Sequence, residues 1–414
     1  MNKFWYDTVH NIKNVRSIEL FTGAGGLAMG TARAGFHHLA LVERDKHSCH
    51  TIRENQQRSN NVVSNWRLYQ MDVANFDTST IGEEIDLLAG GPPCQPFSIG
   101  GRHGAHLDER DMFPRFFRAV RELRPKAFLI ENVRGLLRQN FINYFEYIIL
   151  QLAHPEVLFN NDESWIDHMG RLSRHHNSGA TFNDLGYKVT YKLLNAADYG
   201  VPQKRERVFI VGFRSDLNIN WSWVEPTHTE DALVWDKWVT GEYWERHRIP
   251  STARPECNTK LRARLQKTGA SLLGSMTAPW RTVRDAISDL PEPKNIDAAS
   301  SISNHIYIPG ARSYPGHTGS PLDEPAKTLK AGVHGVPGGE NMLALPSGEV
   351  RYFTVREAAR LQTFPDDYYF PCTWGESMRQ IGNAVPVNLA YIIASSIYNH
   401  LQLATPSRKI VNAV

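Results

Sequence analysis

From Ser17 to about Phe213, short apolar runs alternate with longer amphipathic stretches, the pattern of βα units around a mostly parallel sheet. The pattern predicts strands at 17–21, 40–42, 85–89, 127–131, 188–193 and 208–213. Each of the first four runs into a loop carrying polar or glycine residues, and ligands of open α/β sheets gather at the carboxyl ends of the strands. From Arg351 helical periodicity returns, with Thr354 placed to cap VREAARLQTF and a long amphipathic stretch over 377–403. Between these regions, residues 214–350 hold Pro, Gly and Ser clusters, weak periodicity and six of the ten tryptophans: Trp221, Trp223, Trp235, Trp238, Trp244 and Trp280.

A chain of 414 residues is either one large domain with a substantial insertion or two domains. With 41% hydrophobic and 21% charged residues it has the material for a packed core. No uninterrupted apolar run approaches the roughly 18 residues of a membrane span, and the first residues lack a secretory signal, so no membrane association is expected and the cytoplasm is the expected compartment. The four cysteines form no CxxC pair, which argues against a disulfide framework and a structural zinc; no metal is expected, and a cysteine that matters here acts singly, as a thiol. The formal charge of +3 conceals an uneven distribution, since residues 246–284 carry nine basic residues against one acid. Such a run serves either as a solvated helix face or as a phosphate-binding surface.

Six blocks carry candidate chemistry. The glycines of FTGAGGL, at a strand-to-helix turn, allow a ligand to approach the backbone. Glu43 ends the next strand and Asp72 follows a later one, positions suited to ribose hydroxyls and an adenine amino group; a structural glycine turn with two capping acids would use the same residues. In GGPPCQPFS, directly after a strand, flanking prolines hold Cys94 at the ligand-binding face, where a thiolate would be a nucleophile. Glu131, in LIENV, is either a strand-end cap or a proton donor to a bound base. In QKRER, alternation places Arg205 and Arg207 on one strand face, so that both reach one site as anion or carbonyl clamps. REAARLQTFP and QIGNAVP read, individually, as helices with their boundaries.

In this order the six blocks resemble the C5-cytosine-specific DNA methyltransferase family of bacterial restriction-modification type, over nearly the whole chain. The resemblance implies an α/β fold: a Rossmann-like S-adenosylmethionine-dependent methyltransferase sheet with a smaller, irregular target-recognition domain. The expected partition is residues 1–220 plus 374–414 for the catalytic domain and 221–373 for recognition of DNA. S-adenosyl-L-methionine is the implied cofactor, held by Phe21, Gly23, Gly25, Leu27, Glu43, Asp72, Pro93 and Asn383. Cys94 would attack C6 of a cytosine flipped out of the duplex, with Glu131, Arg205 and Arg207 completing the catalytic set. Gly100 to Gly104 resemble the mobile loop that closes over the flipped base. Gln95, Ser98, Arg262, Arg264 and Lys267 are the candidate contacts to double-stranded DNA. A monomer, paired functionally with a cognate restriction endonuclease, is expected.

Three alternatives bear on these residues. The tRNA-methylating branch of the same family has a short recognition region and a Cys-Phe-Thr tripeptide, neither of which this chain has. A non-catalytic DNA-binding protein on this fold would be expected to lose Cys94, Glu131 or the glycine loop, and all stand intact. A thiol hydrolase would need a Cys-His-Asn arrangement, and no histidine accompanies Cys94 in a recognisable motif. The segment from Leu137 to Asp184 is long for the family core, and its role is open.

Overall fold

Seven strands share one sheet: β1 (Val15–Leu20), β2 (Phe36–Glu43), β3 (Leu68–Gln70), β4 (Leu87–Gly90), β5 (Ala127–Val133), β6 (Tyr187–Asn195) and β7 (Glu206–Arg214). The structure, a computed structural model, describes residues 15–93, 111–160, 163–178, 185–257, 260–261, 263, 277–315, 318–331 and 341–404. The spatial order is β3-β2-β1-β4-β5-β7-β6. All pairings from β3 to β5 are parallel, whereas β7 runs antiparallel to both β5 and β6. A short turn through Ala196–Tyr199 and Gly200 joins β6 to β7, and so short a connection supports only an antiparallel pair. The result is a mixed α/β sheet, parallel from β3 to β5 and antiparallel at its β7–β6 edge.

Alternation along the strands splits the core into two layers. Leu88, Phe128, Ile130, Val208 and Ile210 pack toward helices α3 (Phe113–Leu123) and α4 (Ile142–Ala153). Leu87, Ala89, Leu129, Phe209 and Val211 pack on the other face, against Leu389, Ile393 and Ile397 of the helix Val387–Leu403. With both faces covered, the strands read as continuous apolar runs. β3 escaped sequence reading because it is three residues long and only partly buried.

The amphipathic stretch expected over 377–403 is two helices, Trp374–Asn383 and Val387–Leu403, broken at Ala384–Pro386. Pro386 has no N–H to donate, and the residue before it is driven out of the helical region. The stretch Trp374–Leu403 is by length and overall composition apolar enough to cross a membrane, although polar residues throughout it keep any continuous apolar run short. Sixty-one per cent of its most apolar window is buried inside the protein, so it serves as core.

The expected domain boundary at 373 falls inside a continuous apolar cluster. Phe353, Ala358, Tyr368 and Phe370 pack with Ala24, Ala28 and Met29 of the turn and helix α1 (Gly26–Arg33). Tyr368 Oη donates to Ala24 O at 2.8 Å, and Asn55, on α2 (Lys46–Gln57), exchanges hydrogen bonds of 2.7 Å with the Tyr369 backbone in both directions. Trp221 and Trp223 likewise belong to the sheet side, donating to Ser396 and Thr190 at 2.9 and 3.1 Å. What lies between is irregular, with strands of only two or three residues at His228–Thr229, Ala278–Pro279, Ser320–Pro321, Met342–Ala344 and Val350–Tyr352. In the segment 137–184, α4 is the crossover between β5 and β6. A second helix, α5 (Trp165–Asn177), begins at a capping box formed by Ser164 and Asp167 and packs Trp165 on Tyr144 and Tyr147. Thr354 caps its helix as expected, in a reciprocal box with Glu357.

Candidate active site

The carboxyl ends of β1, β2, β4 and β5 open onto a cavity of about 630 Å3. After β1 the chain turns through Phe21 at φ 60°, Gly23 at φ 57° and Gly25 at φ 87°, then enters α1. Left-handed conformation at a bulky residue such as Phe21 is strained and persists only where the surroundings impose it. Glu43 and the backbone hold the turn: the two Glu43 carboxylate oxygens accept the Gly23 and Asp45 amides at 2.7 Å each, and Thr22 N donates to Val42 O at 3.3 Å. Asp72 caps the turn after β3 by accepting the Ala74 amide at 2.8 Å, and its other oxygen faces Arg44 at 3.2 Å. Glu43 and Asp72 thus stand on neighbouring strand ends, both lining the cavity.

At the other end of the cavity, the register Gly90↔Ile130 sets Glu131 beside Gly91. A Cβ on Gly91 would lie 3.4 Å from Glu131 Oε2, so the glycine brings the loop against the carboxylate. Asn132 fixes that loop: its Nδ2 donates to Pro92 O at 3.0 Å while its Oδ1 accepts the Val133 amide at 2.8 Å. Pro93 O accepts from Met112 N at 3.4 Å, so the chain enters α3 beside the point where it leaves toward Cys94. Arg207, opposite Val133 on β7, places Nε 2.9 Å from Glu131 Oε1. This is an ion pair without hydrogen-bond alignment, and that oxygen has no hydrogen-bond partner. Burial pushes the Glu131 carboxyl above its ordinary range, with Arg207 and then Arg205 opposing the shift. A carboxyl held in that state can donate a proton as well as accept one.

Seven of the eight expected cofactor residues line this cavity: Phe21, Gly23, Leu27, Glu43, Asp72, Pro93 and Asn383. Gly25 does not; its positive φ shapes the turn, and a Cβ there would meet the Trp66 ring at 2.9 Å. Arg207 and Glu131 line the cavity together. Arg205 is absent from the lining, which corrects the expectation that both arginines point into one site. It precedes β7, is fully buried, and gives its guanidinium to the carbonyls of Leu329, Gly382 and Ala384 at 3.1, 2.6 and 3.0 Å. Its charge still acts on Glu131, without contact. Cys94, Gln95, Ser98, the stretch Gly100 to Gly104, Arg262, Arg264 and Lys267 lie outside the described residues. Sequence reading missed Asn132 and the group Asp45, Ser48 and Arg379 on the cavity wall. Asp45 was legible as a helix cap three residues before Ser48, whose amide it accepts at 2.8 Å; Arg379 joins it at 2.9 Å only through the fold.

The cavity suits an adenosyl sulfonium compound. Its volume is that of a small-molecule site. Two carboxylates stand where hydroxyl and amino donors would need acceptors, and the ion-paired Glu131 carboxyl stands at the far end. Among the described residues no cluster of His, Cys, Asp or Glu could hold a metal ion.

The sequence model of a family described as C-5 cytosine-specific DNA methylase matches residues 15–156 and 168–399. Type II methyltransferase M.PspPI of Psychrobacter sp. (strain TA137) is 33% identical, over 97% of this chain and 84% of its own. Type II methyltransferase M.NgoMIV of Neisseria gonorrhoeae is 31% identical, over 93% of this chain and 98% of its own. Among solved structures, a Spodoptera frugiperda DNMT2 mutant superposes with a TM-score of 0.55 at 14% identity, covering 93% of this chain and all of that one; it speaks to the fold alone.

Proposed function

We propose a covalent, base-flipping mechanism for this chain, which belongs to the C-5 cytosine-specific DNA methylase family and is therefore a cytosine-C5 DNA methyltransferase. The observation that carries the reading is the convergence on one cavity of the Glu43 and Asp72 carboxylates, the Glu131–Arg207 pair and the Gly91–Pro93 loop that leads into Cys94. S-adenosyl-L-methionine supplies an electrophilic methyl group on its sulfonium sulfur. Glu43 would hold it through its ribose hydroxyls and Asp72 through its adenine amino group, with Phe21, Gly23, Leu27, Pro93 and Asn383 as the remaining wall.

The Cys94 thiolate adds to C6 of the cytosine, and the displaced electron pair moves into the ring. Glu131, whose affinity for a proton burial raises, protonates N3 and so stabilises the adduct; Arg207 holds that carboxyl in place and faces the ring carbonyl. C5 becomes nucleophilic and forms the new carbon–carbon bond as the methyl–sulfur bond breaks, its electron pair staying on sulfur as the neutral thioether. Loss of the C5 proton to solvent, return of the N3 proton to Glu131 and expulsion of the thiolate then restore the aromatic ring and free the enzyme. A thiol cannot reach C6 inside a stacked duplex, so the target nucleotide turns out of the helix; DNA methyltransferases are one of the general cases of this.

Double-stranded DNA lies against the recognition part, with Gln95, Ser98, Arg262, Arg264 and Lys267 as its candidate contacts. The partition of 1–220 plus 374–414 from 221–373 is best narrowed, with recognition confined between about Glu225 and Tyr352. Trp221, Trp223 and the stretch from Phe353 pack with the sheet. The names of the relatives support a type II restriction-modification role; a cognate endonuclease as functional partner, a monomeric enzyme and the bacterial cytoplasm complete the proposal.

Bisulfite sequencing of DNA from cells expressing the protein tests the reading and identifies the site. Context-specific 5-methylcytosine is expected with the wild type and none with Cys94→Ala. Methylation by the cysteine variant would refute nucleophilic attack by Cys94.

A further inference from the structure

Three side chains beneath the cavity, Gln203, Arg205 and Gln362, are fully buried and joined by hydrogen bonds that touch four separate segments of the chain. Gln203 Nε2 donates to Leu361 O and Gln362 Oε1 at 3.2 Å each, and its Oε1 accepts the Leu329 amide at 3.0 Å. Gln362 Nε2 donates to Ile381 O at 2.7 Å and Ala384 O at 3.2 Å. Arg205 reaches Leu329 O, Gly382 O and Ala384 O. The two ends of this network differ in kind. Ala384, with its neighbours Asn383 and Val385, is cavity wall. Leu329 belongs to the recognition part, and the segment around it is stitched to the approach to β7: Lys204 N donates to Ala326 O at 2.8 Å and Thr328 Oγ1 to Lys204 O at 2.7 Å. The ends also touch directly, since a Cβ on Gly382 would lie 2.5 Å from Ala331 N.

We infer that Gln203, Arg205 and Gln362 form a clasp through which binding at the cavity and binding of DNA strengthen each other. The inference rests on the reading that DNA lies against the recognition part. Buried amides and a buried guanidinium cannot exchange partners gradually, because an unpaired polar group away from water is costly; the network therefore favours discrete arrangements over small drifts. A ligand that presses on Asn383–Val385 and one that moves Leu329 act on the same set of bonds. Coupling of this kind is reciprocal and typically amounts to 5-fold to 150-fold in affinity. Gln203 and Gln362 are positioning residues: neither lines the cavity, and each acts through the backbone that does.

The test is equilibrium binding of S-adenosylhomocysteine, alone and with a saturating duplex carrying the site mapped by bisulfite sequencing. In the wild type the duplex is expected to tighten binding by about 5-fold or more. Gln362→Met and Gln203→Met keep the volume and remove the bonds. Their affinity for S-adenosylhomocysteine alone is expected to stay within about 3-fold of wild type, while the enhancement by DNA falls below about 2-fold. A wild-type enhancement near one, or an undiminished enhancement in both variants, would overturn the clasp. Should neither variant fold, amide hydrogen exchange on the wild type decides: the Leu329 N–H, which donates to Gln203, is expected to exchange more slowly when S-adenosylhomocysteine is added, and an unchanged rate counts against coupling. Failure of the functional reading shows separately, as the absence of mapped 5-methylcytosine.

Discussion

Glu131→Gln removes the ionisable proton and the charge of Glu131 while keeping its shape. The side chain keeps its shape beside Gly91, where a Cβ would stand only 3.4 Å from Oε2, so neither the loop nor the strand is forced to move. What is lost is a carboxyl whose proton affinity burial has raised and the negative partner of Arg207, 2.9 Å away. A positioned general acid contributes about 100-fold to 10,000-fold, equivalent to about 3–5 kcal/mol in the barrier. Methyl transfer from tritiated cofactor to a duplex containing the mapped site, at saturating concentrations of both, should therefore show kcat down by about 100-fold or more, with KM for DNA within about 3-fold. The pH profile supplies the sign. If the protonated carboxyl is the donor, wild-type kcat declines as pH rises through the raised pKa, and the Gln variant lacks that decline. A kcat within about 10-fold of wild type, or the same alkaline decline in both proteins, would refute the assignment of the proton to Glu131.

Two further outcomes are expected. His38 is buried with Nδ1 2.8 Å from Ser17 Oγ and Nε2 2.9 Å from Ala28 O, and burial lowers its pKa from 6.5 to about 4. Its folded pKa lies below the unfolded one, so full stability holds above about pH 6.5 and is lost as pH falls toward 4, about 2 kcal/mol of it by pH 5; denaturant unfolding at pH 7 and pH 5 measures this, and an unaltered pH dependence in His38→Gln would reject the cause. Neutralising Arg262, Arg264 and Lys267 together should weaken DNA binding and flatten the slope of log K against log salt by up to about 3; an unchanged slope returns that basic run to solvated surface.

The catalytic layer was legible because its signals are local. A parallel strand covered on both faces is a short apolar run, as over 127–131, and the turn residues that follow it sit where ligands bind. Glu43 and Glu131 were legible for the same reason: a carboxylate at a strand end stays at that edge however the sheet is extended. Limits were less legible than existence. β3 is too short and too exposed to show a period, and the break at Pro386 had to compete with apolar periodicity on both sides of it.

Arg205 shows where local reasoning stops. Period-two alternation places it on the face of Arg207, but alternation constrains direction only within a strand, and β7 begins at Glu206. One residue earlier, the side chain is governed by what lies beneath it: carbonyls at Gly382 and Ala384, left free where Pro386 ends a helix, and the carbonyl of Leu329. Those acceptors come from residues 124 to 179 positions away in sequence. The stretch from Phe353 shows the same limit: local periodicity marks its helix, but not that its burial partners include Ala24, Ala28 and Met29, at the opposite end of the chain. Arg205 and Gln362, which a linear reading assigns to chemistry or to a helix boundary, instead tie the approach to β7 to Leu329 and Ala384. That is why the clasp, and not the catalytic set, had to come from the structure.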